Sequence, residues 1–250
     1  MLVIREQQME AFSKAALGVF EQHLLEHIQE FFPRQWRQSG AESMRNLIRL
    51  GLDLAQPYGL SSQREIFLYV SLMLYLGSYF DTDPLVPWAE ELLLDRDEPD
   101  PFARISATYD CTLDYLDDVA GEDDRHLMSA YRRFVAALGD DRLDLAAMME
   151  LGNPAWLFPE RYSATPSGAR DKLADQAGRL AAAAGLPAPR GNSLYLALIY
   201  LFGHRFPEDP QHAWVTAVLD NRNNDEPDPR FRSLCEAAVQ HVRGLIEEGH

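Results

Sequence analysis

The chain has 250 residues, 46 % of them apolar, and a formal net charge of −16. That apolar content supports a sizeable buried core, in one large domain or two smaller ones, and argues against extended disorder. A chain this acidic is repelled by DNA, RNA and anionic lipid, so no nucleic-acid and no membrane partner is expected, and a basic protein surface is.

In chain order, residues 5–30 set Met9, Phe12, Ala16, Val19, Phe20 and Leu24 three and four apart, which predicts a long amphipathic helix. Within it, His23, Glu26 and His27 fit H-x-x-E-H, the pattern in which two histidines one turn apart share a metal and the Glu acts as base. No third ligand declares itself, and an amphipathic helix with polar surface residues accounts for the same positions. No metal or other cofactor is expected.

Residues 41–56 present Leu47, Ile48, Gly51, Leu54 and Ala55 as one face. Residues 62–77 are apolar nearly all round, which predicts a central helix. A short helix holds Trp88, Leu92 and Leu93, and a longer one runs from Asp100 to Val119 with Ile105, Tyr109, Leu113 and Leu116 inward. Residues 123–151 read as helical, Leu157 to Ala169 as loop, Ser193 to Gly203 as a second central helix, and Asp228 to Glu247 as the last. No stretch alternates with a period of two, so the fold class is all-α, built as helical bundles. No run reaches the roughly 20 apolar residues of a membrane span. The opening MLVIREQQMEAF lacks the apolar core of a secretory signal, and Cys111 and Cys235 lie far apart, as thiols do in a reducing compartment. The expected location is the cytoplasm.

A shift of 126 positions superimposes two stretches of the chain. Phe32-Pro33 falls on Phe158-Pro159, Leu54-Ala55 on Leu180-Ala181, Gly59-Leu60 on Gly185-Leu186 and Leu68-Tyr69 on Leu194-Tyr195. Gly77, Phe80, Asp83-Pro84 and Trp88 fall on Gly203, Phe206, Asp209-Pro210 and Trp214. From Phe31 to Trp88 this gives 16 identities in 58 positions, where composition alone predicts roughly 6 %. A spacing of 128 then aligns residues 97–101 with 225–229, both reading DEPDP. The expectation is two diverged copies of one helical unit, at 1–122 and 123–250. The matched polar residues read as helix ends. Gly59, Gly77, Gly185 and Gly203 sit where a helix needs a left-handed terminator. Asp83, Asp209, Asp100 and Asp228 each precede a Pro, as an N-cap precedes a first turn.

No G-x-S-x-G elbow and no Gly-rich phosphate loop occurs, and neither cysteine has a basic flank, so nothing marks the chain as an enzyme. The informative feature is charge. Residues 81–125 hold 15 Asp or Glu against 3 Arg, a net −12. Asp95, Asp97, Glu98, Asp100, Asp110, Asp114, Asp117, Asp118, Glu122, Asp123 and Asp124 compose this stretch, and the spacing of Asp110, Asp114, Asp117 and Asp118 lays an acidic stripe along one helix. Such a stripe is either a solvated face or a docking surface for a basic partner, whose association it speeds while nearby aromatics anchor.

Residues 2–95 carry Ile4-Arg5 with Gln8-Met9, Phe32-Pro33, Tyr58-Gly59-Leu60, Tyr69, Leu72-Met73, Leu76-Gly77, Phe80-Asp81-x-Asp83-Pro84 and Pro87-Trp88. In this combination the segment resembles small proteins encoded beside type VI secretion effector and spike genes in Gram-negative bacteria. Residues 157–220 echo it, with Ala184 for Tyr58 and Ala213 for Pro87. The resemblance implies an accessory to a secreted toxin: an immunity protein that neutralises a cognate toxin, a nuclease being one acidic-partner match, or a chaperone or adaptor that loads the effector onto the spike. A metal-dependent hydrolase using His23, Glu26 and His27 is the third alternative.

Overall fold

The computed structural model describes residues 6–139, 145–220 and 226–247, with the side chains of 6–16 and 145 excepted. Ile4, Arg5, Gln8, Met9, Phe12, Ala16 and Asp225 therefore lie, in whole or in side chain, outside the described residues. Among those described, 13 α-helices form and no strand does. No helix is long and apolar enough to cross a membrane.

The opening helix α1 (Glu6–Phe31) buries Phe20, Leu24, Leu25 and Ile28 against α2 (Pro33–Ala55). Val19 faces outward at 57 % exposure. α2 starts eight residues before the expected 41, because Pro33 suits a first helical position. Gly40 (φ 77°, ψ 166°) interrupts it, and beyond that break Met44, Leu47, Ile48, Gly51 and Ala55 face the core. A left-handed Gly59 (φ 75°) ends the following 3-10 turn Gln56–Tyr58, as expected. α3 (Gln63–Leu76) is enclosed on nearly every side. Ser62 and Glu65 close a capping box at its start, each bonding the other's backbone N–H. α4 (Pro87–Leu93) and α5 (Pro101–Val119) pack on each other and α5 packs on α3.

The second half begins with α6 (Arg125–Leu138) and α7 (Leu145–Leu151). The stretch expected as loop from Leu157 to Ala169 is helical: α8 (Pro154–Leu157), α9 (Pro159–Ala164) and the start of α10 (Ser167–Ala183). Pro154 and Pro159 occupy the first position of their helices, where a missing N–H costs nothing, so prolines that look like breaks are starts. α11 (Arg190–Phe202) is the second enclosed helix, packed by α10, α7 and α6. α12 (Ala213–Leu219) and α13 (Pro227–Glu247) follow, and α13 lies against α12, α6 and α2.

The ends of α3 and α11 meet at the centre. Gly77 (φ 104°, ψ 153°) and Gly203 (φ 98°, ψ 162°) terminate them in a region open to glycine almost alone, and not in the left-handed helical conformation expected there. The extended ψ turns the next amide out of its own helix and toward the opposite half. The Ser78 N–H donates to Asp209 Oδ2 at 2.8 Å and the Ser78 hydroxyl to Asp209 Oδ1 at 2.7 Å. The His204 N–H donates to Asp83 Oδ2 at 2.9 Å. Both carboxylates also hold their own turn, Asp83 through Leu85 N–H and Asp209 through Gln211 N–H. Asp83 with Pro84 therefore does not start a helix, since α4 opens at Pro87. Asp209 caps only the 3-10 turn Pro210–His212. Asp228, a residue inside α13, accepts from Arg190 at 2.5 Å instead of capping. Asp100 is a true cap, accepting from Phe102 N–H at 3.1 Å. Gly185 (φ 71°) ends α10 as expected, with Leu186 N–H reaching back to Ala181. Trp88 and Trp214 are half-buried beside Tyr115 and His241, at 5.7 and 5.4 Å between ring centroids.

A Cβ on Gly77 would lie 2.8 Å from the Phe202 carbonyl oxygen, and one on Gly203 would lie 3.2 Å from the Asp83 carboxylate. Gly77→Ala is expected to destabilise the fold by about 3 kcal/mol, combining backbone strain with a clash against fixed main chain. Gly203→Ala should cost less, and Gly168→Ala, which has open space, should be near neutral. Urea midpoints of the three variants check the order.

Burial holds His212 and His241 far below the ordinary histidine range, both down to about 3, and His212 adds to the effect on His241. The unfolded chain takes up these protons near pH 6.5 and the folded chain does not. Each imidazole therefore removes about 1.4 kcal/mol of stability per pH unit as pH falls from 6.5 toward 3. Asp209 acts in the opposite sense, because burial pushes its carboxyl up against the hydrogen bonds from Ser78 and Gln211. The histidine share should vanish at its own site in His241→Phe, whose ring keeps the packing. Denaturant titrations at pH 7.5 and 5 compare the two proteins.

Candidate partner-binding face

α5 has two sides with different chemistry. Its inner side is Ile105, Thr108, Thr112 and Val119, all buried. The Thr108 and Thr112 hydroxyls donate back to the Arg104 and Thr108 carbonyls at 2.9 and 2.8 Å, so both are buried without an unsatisfied group. These threonines take the place expected for Leu113, which faces solvent at 41 % exposure. An apolar-only pattern cannot see a threonine as a core residue, and this rotates the expected inner face away from Leu113.

The outer side carries Asp110, Asp114, Asp117 and Asp118, all exposed and without an ion pair among the described residues. Leu113 stands among them, at the helical spacings that make it a neighbour of Asp110 and Asp117. At the helix start, most carboxylates build the loop. Asp95 accepts from Asp97 N–H at 2.9 Å and Glu98 from Asp100 N–H at 2.9 Å. Arg104 clamps this loop by donating to the Glu98 and Tyr58 carbonyls. Asp97 remains exposed. At the helix end, Asp123 (φ 54°) and Asp124 (φ 58°) both adopt left-handed backbone. Asp124 pairs with Arg34 at 2.7 Å, with both side chains about a third exposed, a geometry worth less than 1 kcal/mol or so. Glu122 and Asp123 are exposed.

The structure thus sorts the predicted residues. Asp110, Asp114, Asp117 and Asp118 share one face that Glu122 and Asp123 extend beyond its end. Asp95, Glu98 and Asp100 belong to the loop, and Asp124 is neutralised. Asp81 and Asp83, counted in the same acidic stretch, are interior. Asp81 accepts from the buried Tyr58 hydroxyl at 2.9 Å, and burial, with Asp81 next, pushes that phenol well above its ordinary range. From Asp110 to Asp118 the carboxylates of α5 spread over about 12 Å of the helix axis. Exposed apolar side chains in this half are Leu113 within the face, Leu94 at 52 % exposure, and Tyr75 at 39 %, whose ring lies 6.4 Å from that of Tyr109 on α5. Sequence periodicity missed Leu94 and Tyr75, since a single exposed apolar residue carries no pattern.

His27 of the H-x-x-E-H pattern is engaged elsewhere. Its ring lies 4.2 Å from Phe67 and 4.5 Å from Phe31, and burial against them lowers its pKa while Glu30 works the other way. Glu26 accepts from Gln22 at 3.0 Å. Among the described residues no three His, Cys, Asp or Glu side chains converge as a metal-binding group.

Compared with protein-family models, curated protein sequences and solved structures, the chain matches none.

Cys111 sits one position from Asp110, and its thiol is pushed up by partial burial and then by Asp114. Cys235 is pushed further, to about 12, by burial. Cys111 therefore serves as a native probe of the field on α5. Its alkylation by iodoacetamide at pH 8 should be slower than that of a free thiol, and faster in Asp114→Asn than in wild type. Equal rates in the two proteins would show that the stripe projects no appreciable potential at this site.

Proposed function

We propose that the chain is a partner-binding accessory of a type VI secretion toxin, and that it is the immunity protein, neutralising a basic, cytoplasm-acting toxin such as a nuclease by covering its functional surface. The observation that carries this reading is the row of four unpaired carboxylates on α5 with Leu113 among them. Carboxylates without internal partners contribute no salt bridge to the fold, so their charge is available to another molecule. Long-range attraction would steer the toxin in, and Leu113, Leu94 and Tyr75 would supply the dehydrated contacts that slow its release. Nothing in this role requires catalysis, and the sequence resemblance supports a toxin accessory without separating immunity from loading.

The alternative accessory role, a chaperone or adaptor that loads the effector onto the spike, is favoured by a different surface. Leu17, Val19 and Phe31 are exposed along α1, at 45, 57 and 62 %. Exposed apolar residues along one helix suit a holder of apolar segments.

We also infer that 1–122 and 123–250 are copies of one unit, as the 126-residue register suggests. Supporting this, Gly77 and Gly203 share a rare conformation, Asp83 and Asp209 exchange equivalent hydrogen bonds, and Tyr69–Phe80 and Tyr195–Phe206 stack at 5.0 and 5.2 Å.

Co-expression with the product of the neighbouring gene, once that product is shown to be lethal alone, tests the assignment. Immunity requires restored growth and a stoichiometric complex, whereas a loading role requires lost effector stability or secretion on deletion, without self-killing. In the immunity case, replacing Asp110, Asp114, Asp117 and Asp118 together by Asn should lower the association rate about 10- to 100-fold at low salt and flatten its salt dependence. Dissociation should change far less. An unchanged association rate would place the toxin on another face.

A further inference from the structure

A cavity of about 140 Å³ lies where α2, α3, α5, α6, α9, α11 and α13 converge; none of the α5 carboxylates lines it, and Tyr75 does. Most of its wall is apolar, including Leu74, Leu116, Leu127, Phe158 and Phe202. Polar side chains interrupt that wall, among them Arg161, Tyr115 and His212. Arg161 and His212 are at least nine-tenths buried, at 7 and 8 % exposure. Each of the three has an atom with no hydrogen-bond partner among the described residues: Arg161 Nε, Tyr115 Oη and His212 Nδ1.

Arg161 is the unusual member. Its Nη1 donates to the Tyr200 and Leu201 carbonyls at 2.9 and 3.2 Å, which anchors the guanidinium at the C-terminal end of α11. No carboxylate among the described residues pairs with it. A cation held away from water with only carbonyls for company is costly unless an anion shares the site. Tyr115 stands beside the guanidinium without the geometry of a hydrogen bond to it, so its hydroxyl also remains available. Around this polar corner the space is that of a benzene ring, which fits an apolar cavity of about 150 Å³. Half-buried Gln35 and Gln38, with the partly exposed Tyr75, form the side nearest solvent.

We propose that this cavity is a binding site for a small monocarboxylate with a compact apolar body, its carboxylate held by Arg161 and Tyr115 and its body by the leucines and Phe202. The guanidinium meets a planar anion that matches its fork of donors. The apolar wall discriminates against inorganic anions, which would leave it unfilled. The site is separate from the carboxylates assigned to the toxin and does not depend on that assignment.

Benzoate is the probe, titrated calorimetrically into the full-length chain, with benzamide and inorganic phosphate as controls. Benzoate should bind saturably at one site per chain and raise the melting temperature, and benzamide should bind about tenfold more weakly or worse, having lost the charge-assisted bonds. Tyr115→Phe, which keeps the ring, should weaken benzoate several-fold, and Arg161→Met should abolish binding. Should Arg161→Met not fold, Tyr115→Phe together with the benzamide ratio decides the matter. The proposal is overturned if benzoate does not bind, if benzamide or phosphate binds as well as benzoate, or if Tyr115→Phe binds benzoate with unchanged affinity.

Discussion

Two buried carboxylates, each accepting an amide from the far half of the chain, set the architecture. Asp83 receives the His204 N–H and Asp209 receives the Ser78 N–H, across 121 and 131 residues of sequence. A carboxylate withdrawn from water needs such donors, and the amide that follows a helix needs such an acceptor. Gly77 and Gly203 make the exchange feasible, because only their backbone turns the next N–H outward while letting two helix ends approach to carbonyl contact. Once that joint is fixed, the enclosed helices α3 and α11 are positioned, and the outer helices have a core to cover.

α5 shows how the joint leads to the acidic face. It packs on α3 and α9, so its orientation follows from theirs. Its buried side is satisfied by threonines bonded to their own helix, which leaves its charged side turned outward. The carboxylates there are separated from those that fold the neighbouring loop. Density of acidic residues in a sequence therefore overstates the surface field: Asp81 and Asp83 look inward, Asp95, Glu98 and Asp100 tie the loop, and Asp124 meets Arg34.

The amino-acid pattern carries much of this and conceals specific parts. The enclosed helices were legible because they are apolar on all sides, and Gly59 and Gly185 because helix ends demand them. Asp83 was legible as important but misplaced as a helix cap, whereas Asp209 does cap a 3-10 turn and reaches across the molecule as well. An Asp before a Pro looks the same whether its carboxylate serves the next turn alone or also reaches across the molecule. Pro159 was mistaken for loop, since a proline signals a boundary without saying on which side the helix lies. The Arg161 corner had no local signal at all. It gathers residues from α5, α9 and the turn before α12, brought together only by tertiary packing.

The crossing of the two Asp bonds bears on how the molecule comes apart. Withdrawing either half strips a carboxylate of its donor in one part and an amide of its acceptor in the other, at both crossings together. Partial opening along this boundary thus breaks three hydrogen bonds to buried carboxylates at its first step. Such a boundary behaves as a latch, giving a single melting unit even though the chain is assembled from many short helices.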